Sequence, residues 1–280
     1  MICTFFDIQE NQRKVYAITS DKSTEKPRLV DPEAQTLYIK HREYIIEGVF
    51  KIGDRFQQRK ETVHIAVELI DQYYLAHSQR MTMEKFKGTL LLPKEIILHQ
   101  VTSVMIASKY DEIDDNITTI HDLTSYFKEW ISYNGNKRDY AYIPNYDQIV
   151  ACEKRILLYF EWDLKFLLPI HFLRLFLANG VLFSKEMYPE SQKYKNKERF
   201  HKEKLLKARN ISDESLQIAD MLLKEGRICI RREQASNIAA AIVYLARKNI
   251  LEADSPYKGR PIVPQVWPEE MLLMTRCTEE

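Results

Sequence analysis

Glycine is the first shortage: seven residues in a chain of 280. All-β sandwiches and enzymes that cradle a nucleotide in a glycine-rich loop need more turn glycine than that. Cysteine is also sparse, and scattered. Cys3, Cys152, Cys229 and Cys277 form no CxxC pair and have no histidine cluster beside them. That spacing argues against a zinc site and a disulfide framework, and it fits a reduced, intracellular setting, nucleus or cytoplasm. No stretch approaches 18 uninterrupted apolar residues, so no membrane-spanning segment is expected. The N-terminal "MICTFFDIQENQRK" interrupts its apolar patch with Asp7 and Glu10 and does not read as a signal peptide. The glycosylation-like triplets at Asn116 and Asn210 are then chance matches. An excess of charge is missing too: 41 Lys+Arg against 40 Asp+Glu leave a formal net charge of +1. A protein that coats nucleic acid is usually more basic.

Reaction machinery is absent at the level of motifs. There is no phosphate-binding GxxxxGK[ST], no GxGxxG after a strand, no HExxH and no GxSxG. His41, His64, His77, His99, His121, His171 and His201 show no metal-ligand spacing. Neither a catalytic centre, a cofactor nor a metal is expected.

What the chain has is helical periodicity, with 45% hydrophobic residues to build a core. Pro27 and Pro32 read as breakers in a loop that closes an N-terminal extension, residues 1–40. Ile45, Val49, Ile52 and Phe56 then recur at helical spacing, predicting a helix over 41–57. Val63, Ala66, Val67, Ile70 and Tyr74 predict a second over 61–77. A third, about 94–110, is apolar on most of its circumference and should be the buried central helix. A fourth runs about 119–132 behind a Thr118 or Thr119 cap, and a fifth spans 146–160. "SQRMTMEKFKGTLLLP" and "YNGNKRDYAYIPN" read as surface excursions between helices. Beyond them lie an apolar helix from Pro169 to Gly180 and a basic segment with eight Lys/Arg against two Glu over 193–209. Ser212 reads as the cap of a further helix, and an Ala-rich helix follows in "REQASNIAAAIVYLARKN". The expected class is all-α. Its divisions are the extension, a five-helix unit over 41–170, a helix and basic linker over 171–211, and a partial helical repeat over 212–280.

Several charges sit on apolar stripes. At about 100° per residue, Lys109 points within about 20° of Leu98. Glu153 follows Ile149 by four and precedes Ile156 by three; Asp71 follows Val67 by four; Arg42 precedes Ile45 by three. A bare buried charge costs several kcal/mol unless it is paired. Arg42 with Asp71 is the expected internal pair, tying the first helix to the second. Lys109 and Glu153 either bridge each other or both face outward to meet a partner. The plain alternatives are a lysine snorkelling from a last turn and a glutamate at the wet edge of its stripe.

These positions carry a resemblance. "HREYIIEGVFKIGDRFQQRKETVHIAVELIDQYYL", "LHQVTSVMIASKYDEI" and "CEKRILLYFEWDLKFLLPIHFL" resemble the first, second, third and fifth helices of a cyclin box, over residues 41 to about 175. The resemblance implies a cyclin fold, five helices around a buried central one. It also implies that Arg42 and Asp71 form a buried structural pair. Leu98 would belong to the core, with Lys109 and Glu153 contacting a cyclin-dependent-type protein kinase. Tyr110, Trp162 and Leu164 match apolar positions near that interface, with Asp111 and Glu112 as its wet rim. The implied function is a non-catalytic subunit that binds and activates such a kinase; the alternative is a cyclin-fold scaffold without one. A fold that touches DNA would need a more basic surface.

There are departures. The apolar patch by which many cell-cycle cyclins dock substrate peptides corresponds here to His41, Gly48 and Lys51. Losing its tryptophan to Gly48 removes the aromatic floor, and Lys51 in place of an acid repels a basic docking peptide. That docking should be absent or altered. Pro169 lies two residues later than the family's proline. The similarity past residue 175 is weaker and covers only the opening of a second cyclin fold, which is expected to be incomplete.

Overall fold

The computed structural model describes residues 32–77, 93–134, 143–183, 197–225, 235–253 and 266–277. The two excursions between predicted helices lie mostly outside these residues. Among the described residues the chain is all helical: α1 Pro32–Arg55, α2 Lys60–His77, α3 Pro93–Asp111, α4 Ile120–Asn134, α5 Tyr146–Tyr159, α6 Pro169–Asn179, α7 Lys197–Lys224, α8 Ala235–Ala253 and α9 Glu269–Thr275. A short 3-10 turn, Asp114–Asn116, joins α3 to α4.

Helix α3 is the axis of the first unit. Every residue from Gln100 to Ser108 is buried, which two faces of a surface helix could not produce. It packs against α1, α2 and α5. α4 adds Leu123 to the same core, with Ile120 and Phe127 packed against it. Leu98, expected in the core, is half-buried and packs on its margin. α1 and α3 cross at Gly48, where an added Cβ would stand 2.1 Å from the Gln100 amide nitrogen. That amide is itself bonded to the Ile45 carbonyl at 2.8 Å. The absence of a side chain is thus what lets α3 lie so close. Gly53 does the same for α2, where a Cβ would meet Val63 at 2.4 Å.

Two starts differ from expectation. Pro32 does not break the chain but opens α1, which begins nine residues before 41. Proline suits the first helical position because its missing N–H has no partner to lose there. Ser212 is not a cap: it lies inside α7, and its hydroxyl donates back to the Ala208 carbonyl at 2.9 Å. The basic segment from Lys197 on and the stretch after Ser212 are therefore one helix. Other caps are as the residues suggest. Thr119 and Asp122 exchange bonds at the start of α4. Asn145 and Gln148 do so at α5, at 2.9 and 3.0 Å.

Helices α6 to α9 bury a second core around Phe172, Phe176, Ile211, Val243 and Met271. α8 packs on α6, α7 and α9. Arg247 lies fully inside, its guanidinium donating to the carbonyls of Val181 and Val266.

Candidate functional site

Arg42 and Asp71 meet as a parallel fork: Nε to Oδ1 and Nη2 to Oδ2, both at 2.8 Å, both side chains buried. The remaining donor has a use that the sequence does not disclose. Arg42 Nη1 donates to the carbonyls of Leu223 (2.9 Å) and Lys224 (3.1 Å) at the end of α7. Those carbonyls have no partner within their own helix, and a cation there also faces the negative end of its dipole. One guanidinium therefore joins α1, α2 and α7. The seam continues through Asp220 on α7, which takes bonds from His64 (3.0 Å) and Lys60. Burial works to raise the Asp220 pKa, but those two partners outweigh it and hold the carboxyl below its ordinary value. On the same side, Arg174 of α6 reaches Glu61 of α2 at 2.7 Å.

Lys109 and Glu153 also meet, Nζ to Oε1 at 2.7 Å, joining the last turn of α3 to the middle of α5. Here the lysine is 47% exposed and the glutamate 18%. Of the two readings left open by the sequence, the structure shows the bridge, and the pair stays partly accessible. Tyr110 stands exposed beside the lysine. Trp162 is 65% exposed. It follows α5 through two successive left-handed residues, Glu161 (φ 52°) and Trp162 (φ 63°). The Trp162 N–H reaches back to the Leu157 carbonyl at 2.9 Å and closes the helix end. A non-glycine residue in that region costs about 1–2 kcal/mol, and such outliers concentrate at functional surfaces.

Two residues assigned to this surface lie elsewhere. Leu164 is buried in the first core. The left-handed turn at Glu161 and Trp162 ends the helical register, leaving Trp162 outward and Leu164 inward. Glu112 is not a wet rim either: its side chain is 1% exposed. It accepts from the Arg59 N–H (2.7 Å), the Thr62 hydroxyl (2.6 Å) and Asn116 Nδ2 (3.0 Å). Desolvation pushes its pKa up, but these bonds prevail and hold it below the ordinary carboxylate value. Glu112 satisfies donors at the start of α2 and pins the loop after α3. Asp111 shares the task, bridging Arg59 at 2.6 Å and accepting from Thr62 at 2.9 Å. The exposed apolar residues that sequence reasoning passed over here are Ile113 and Leu158. Leu158 is out of phase with the buried Ile149, Cys152 and Ile156, which is the signal that could have marked it.

On α1, Gly48 faces Gln100 of α3, and Lys51 is exposed and paired with Glu47 at 2.7 Å. His41 belongs to the helix, but its side chain is outside the described residues. Among the described residues no helix is long and apolar enough to cross a membrane. No group of three or more His, Cys, Asp or Glu is placed to hold a metal there.

A family model described as "Cyclin, N-terminal domain" matches residues 11–165. That is more than half of the chain, and the chain belongs to the cyclin family. No curated protein matches it.

Proposed function

We propose that this cyclin-like protein binds and activates a protein kinase of the cyclin-dependent type through the end of α3 and the facing part of α5. The observation that carries the reading is the Lys109–Glu153 pair. It is an ion pair at 2.7 Å left partly accessible, with Tyr110 and Trp162 also exposed, at positions that by resemblance meet the kinase in cyclins. Tyr110 and Trp162 supply rigid apolar area, and large aromatics dominate the energetics of such contacts. Lys109 and Glu153 supply polar register. The mechanism is differential binding. The cyclin surface packs against the kinase's regulatory helix in the conformation that sets its Lys–Glu pair for ATP, and so shifts the population towards the active state. The partner makes the chain an intracellular regulator rather than an enzyme.

The test is to purify the protein from its source with whatever accompanies it. Kinase activity is then compared with that of a Lys109→Glu, Glu153→Lys double variant. The swap retains an internal ion pair while reversing the charges that a partner meets. A co-purifying kinase whose activity falls in the variant supports the reading. Absence of any associated kinase, or activity equal to wild type, sinks it and favours the scaffold.

A further inference from the structure

The charges of this chain nearly cancel, but they are not evenly mixed. Between Lys197 and Arg209 six Lys or Arg face two Glu; between Asp111 and Asp115 there are four acids and no base. Each of these stretches also exposes apolar side chains. Leu205 and Leu206 are 56% and 58% exposed on α7, and Ile113 is 71% exposed in the loop after α3.

The basic stretch is a helix that runs ahead of its core. From His201 to Asn210 no residue is buried, and the first that is buried is Ile211. Lys202 and Arg209 flank the two leucines at spacings of three, on the face turned away from Ile211. Both cations make only exposed pairs along their own helix, with Glu198 at 3.0 Å and Asp213 at 3.7 Å. Exposed pairs of this kind are worth little and leave the charge available to another partner.

The acidic stretch is a loop held by hydrogen bonds, a finger. Asp111 and Glu112 turn inward to Arg59 and Thr62, while Ile113, Asp114 and Asp115 are exposed. Asn116 holds the finger from both sides: its N–H donates to the Ile113 carbonyl at 2.8 Å, and its own carbonyl accepts from Gln58 at 3.0 Å. An isoleucine beside two carboxylates on one surface complements two leucines between cations on the other, in apolarity and in sign.

We propose that the finger of one molecule docks on the exposed face of α7 in a second copy of this chain. The two surfaces differ, so the contact is heterologous and builds head-to-tail assemblies. A formal net charge of +1 leaves little repulsion to oppose it. Both patches are small beside the roughly 1,200–2,000 Å² of a stable interface, so the contact is weak and concentration-dependent.

Sedimentation velocity of the full chain over about 1–500 µM tests this. The mean mass rises above the 33.2 kDa of the monomer with concentration, and added salt weakens the association about tenfold. A Leu205→Ser, Leu206→Ser variant and an Ile113→Ser, Asp114→Ser, Asp115→Ser variant are each monomeric alone. Mixed, they form a dimer and nothing larger, because each retains the surface that the other lacks. Unfolding cannot produce that rescue. A wild type that is monomeric throughout overturns the proposal. So do variants that associate like wild type, and so does a mixture that stays monomeric.

Discussion

Arg42–Asp71 and Lys109–Glu153 close at 2.8 and 2.7 Å, yet the first pair is buried and the second stands partly in water. The separation therefore says nothing about what either pair does; the surroundings decide. Inside, each charge removed from water must be matched, and Arg42 is well served: two oxygens of Asp71 and two carbonyls of α7 take four of its five N–H donors. Breaking such a pair leaves an uncompensated buried charge. At the end of α3 water can replace either partner, so the pair adds little to stability and is free to serve recognition.

The sharpest way to break this contrast is Arg42→Ala. It should cost about 3–5 kcal/mol in denaturant unfolding, because Asp71 is left charged and buried. Hydrogen exchange should quicken at the end of α7 as well, since two carbonyls lose their donor. A cost below about 1 kcal/mol would place the pair in water. Next is Gly48→Ala, which forces the Gln100 amide off the Ile45 carbonyl and should cost about 1–3 kcal/mol. Thermal melts can check it.

Glu68, one turn from Asp71, sharpens the buried side. Burial, opposed by a bond from Gln72, pushes its pKa from 4.5 up to about 7. The folded chain thus holds a proton that the unfolded chain releases, and stability falls as pH climbs from about 4.5 to about 7. Glu68→Gln keeps an acceptor for Gln72 and removes that fall. Its stability should match wild type near pH 4 and exceed it by up to about 3 kcal/mol near pH 8. Parallel curves across that range would refute the shift. The smallest effect belongs to the exposed pair: the Lys109→Glu, Glu153→Lys swap should change stability by no more than about 0.5 kcal/mol. A large loss would make the pair structural and remove the contrast.

What could be read from residues alone followed periodicity and pairing. The burial of α3 rests on side-chain type at helical spacing, which also sets Lys109 and Glu153 on apolar stripes but leaves open whether they meet each other or a partner. Glu112 was misplaced because a local Asp-Glu run looks solvated, whereas its donors, Arg59 and Thr62, come from about fifty residues away in sequence. Pro32 and Ser212 were misplaced because the same residue types open, break or sit within helices, and only tertiary packing decides which. The clasp of Arg42 on α7 left no trace, since a backbone carbonyl has no residue type to signal it.

That clasp has a consequence for how the chain is made. Arg42 and Leu223 are 181 residues apart in sequence. During synthesis the first unit emerges with one arm of its buried guanidinium still unanswered. It stays so until α7 has been translated through its last turn, so early helices wait on a late one. A ribosome-bound fragment ending before Leu223 should consequently be less protected around Arg42 than the finished chain.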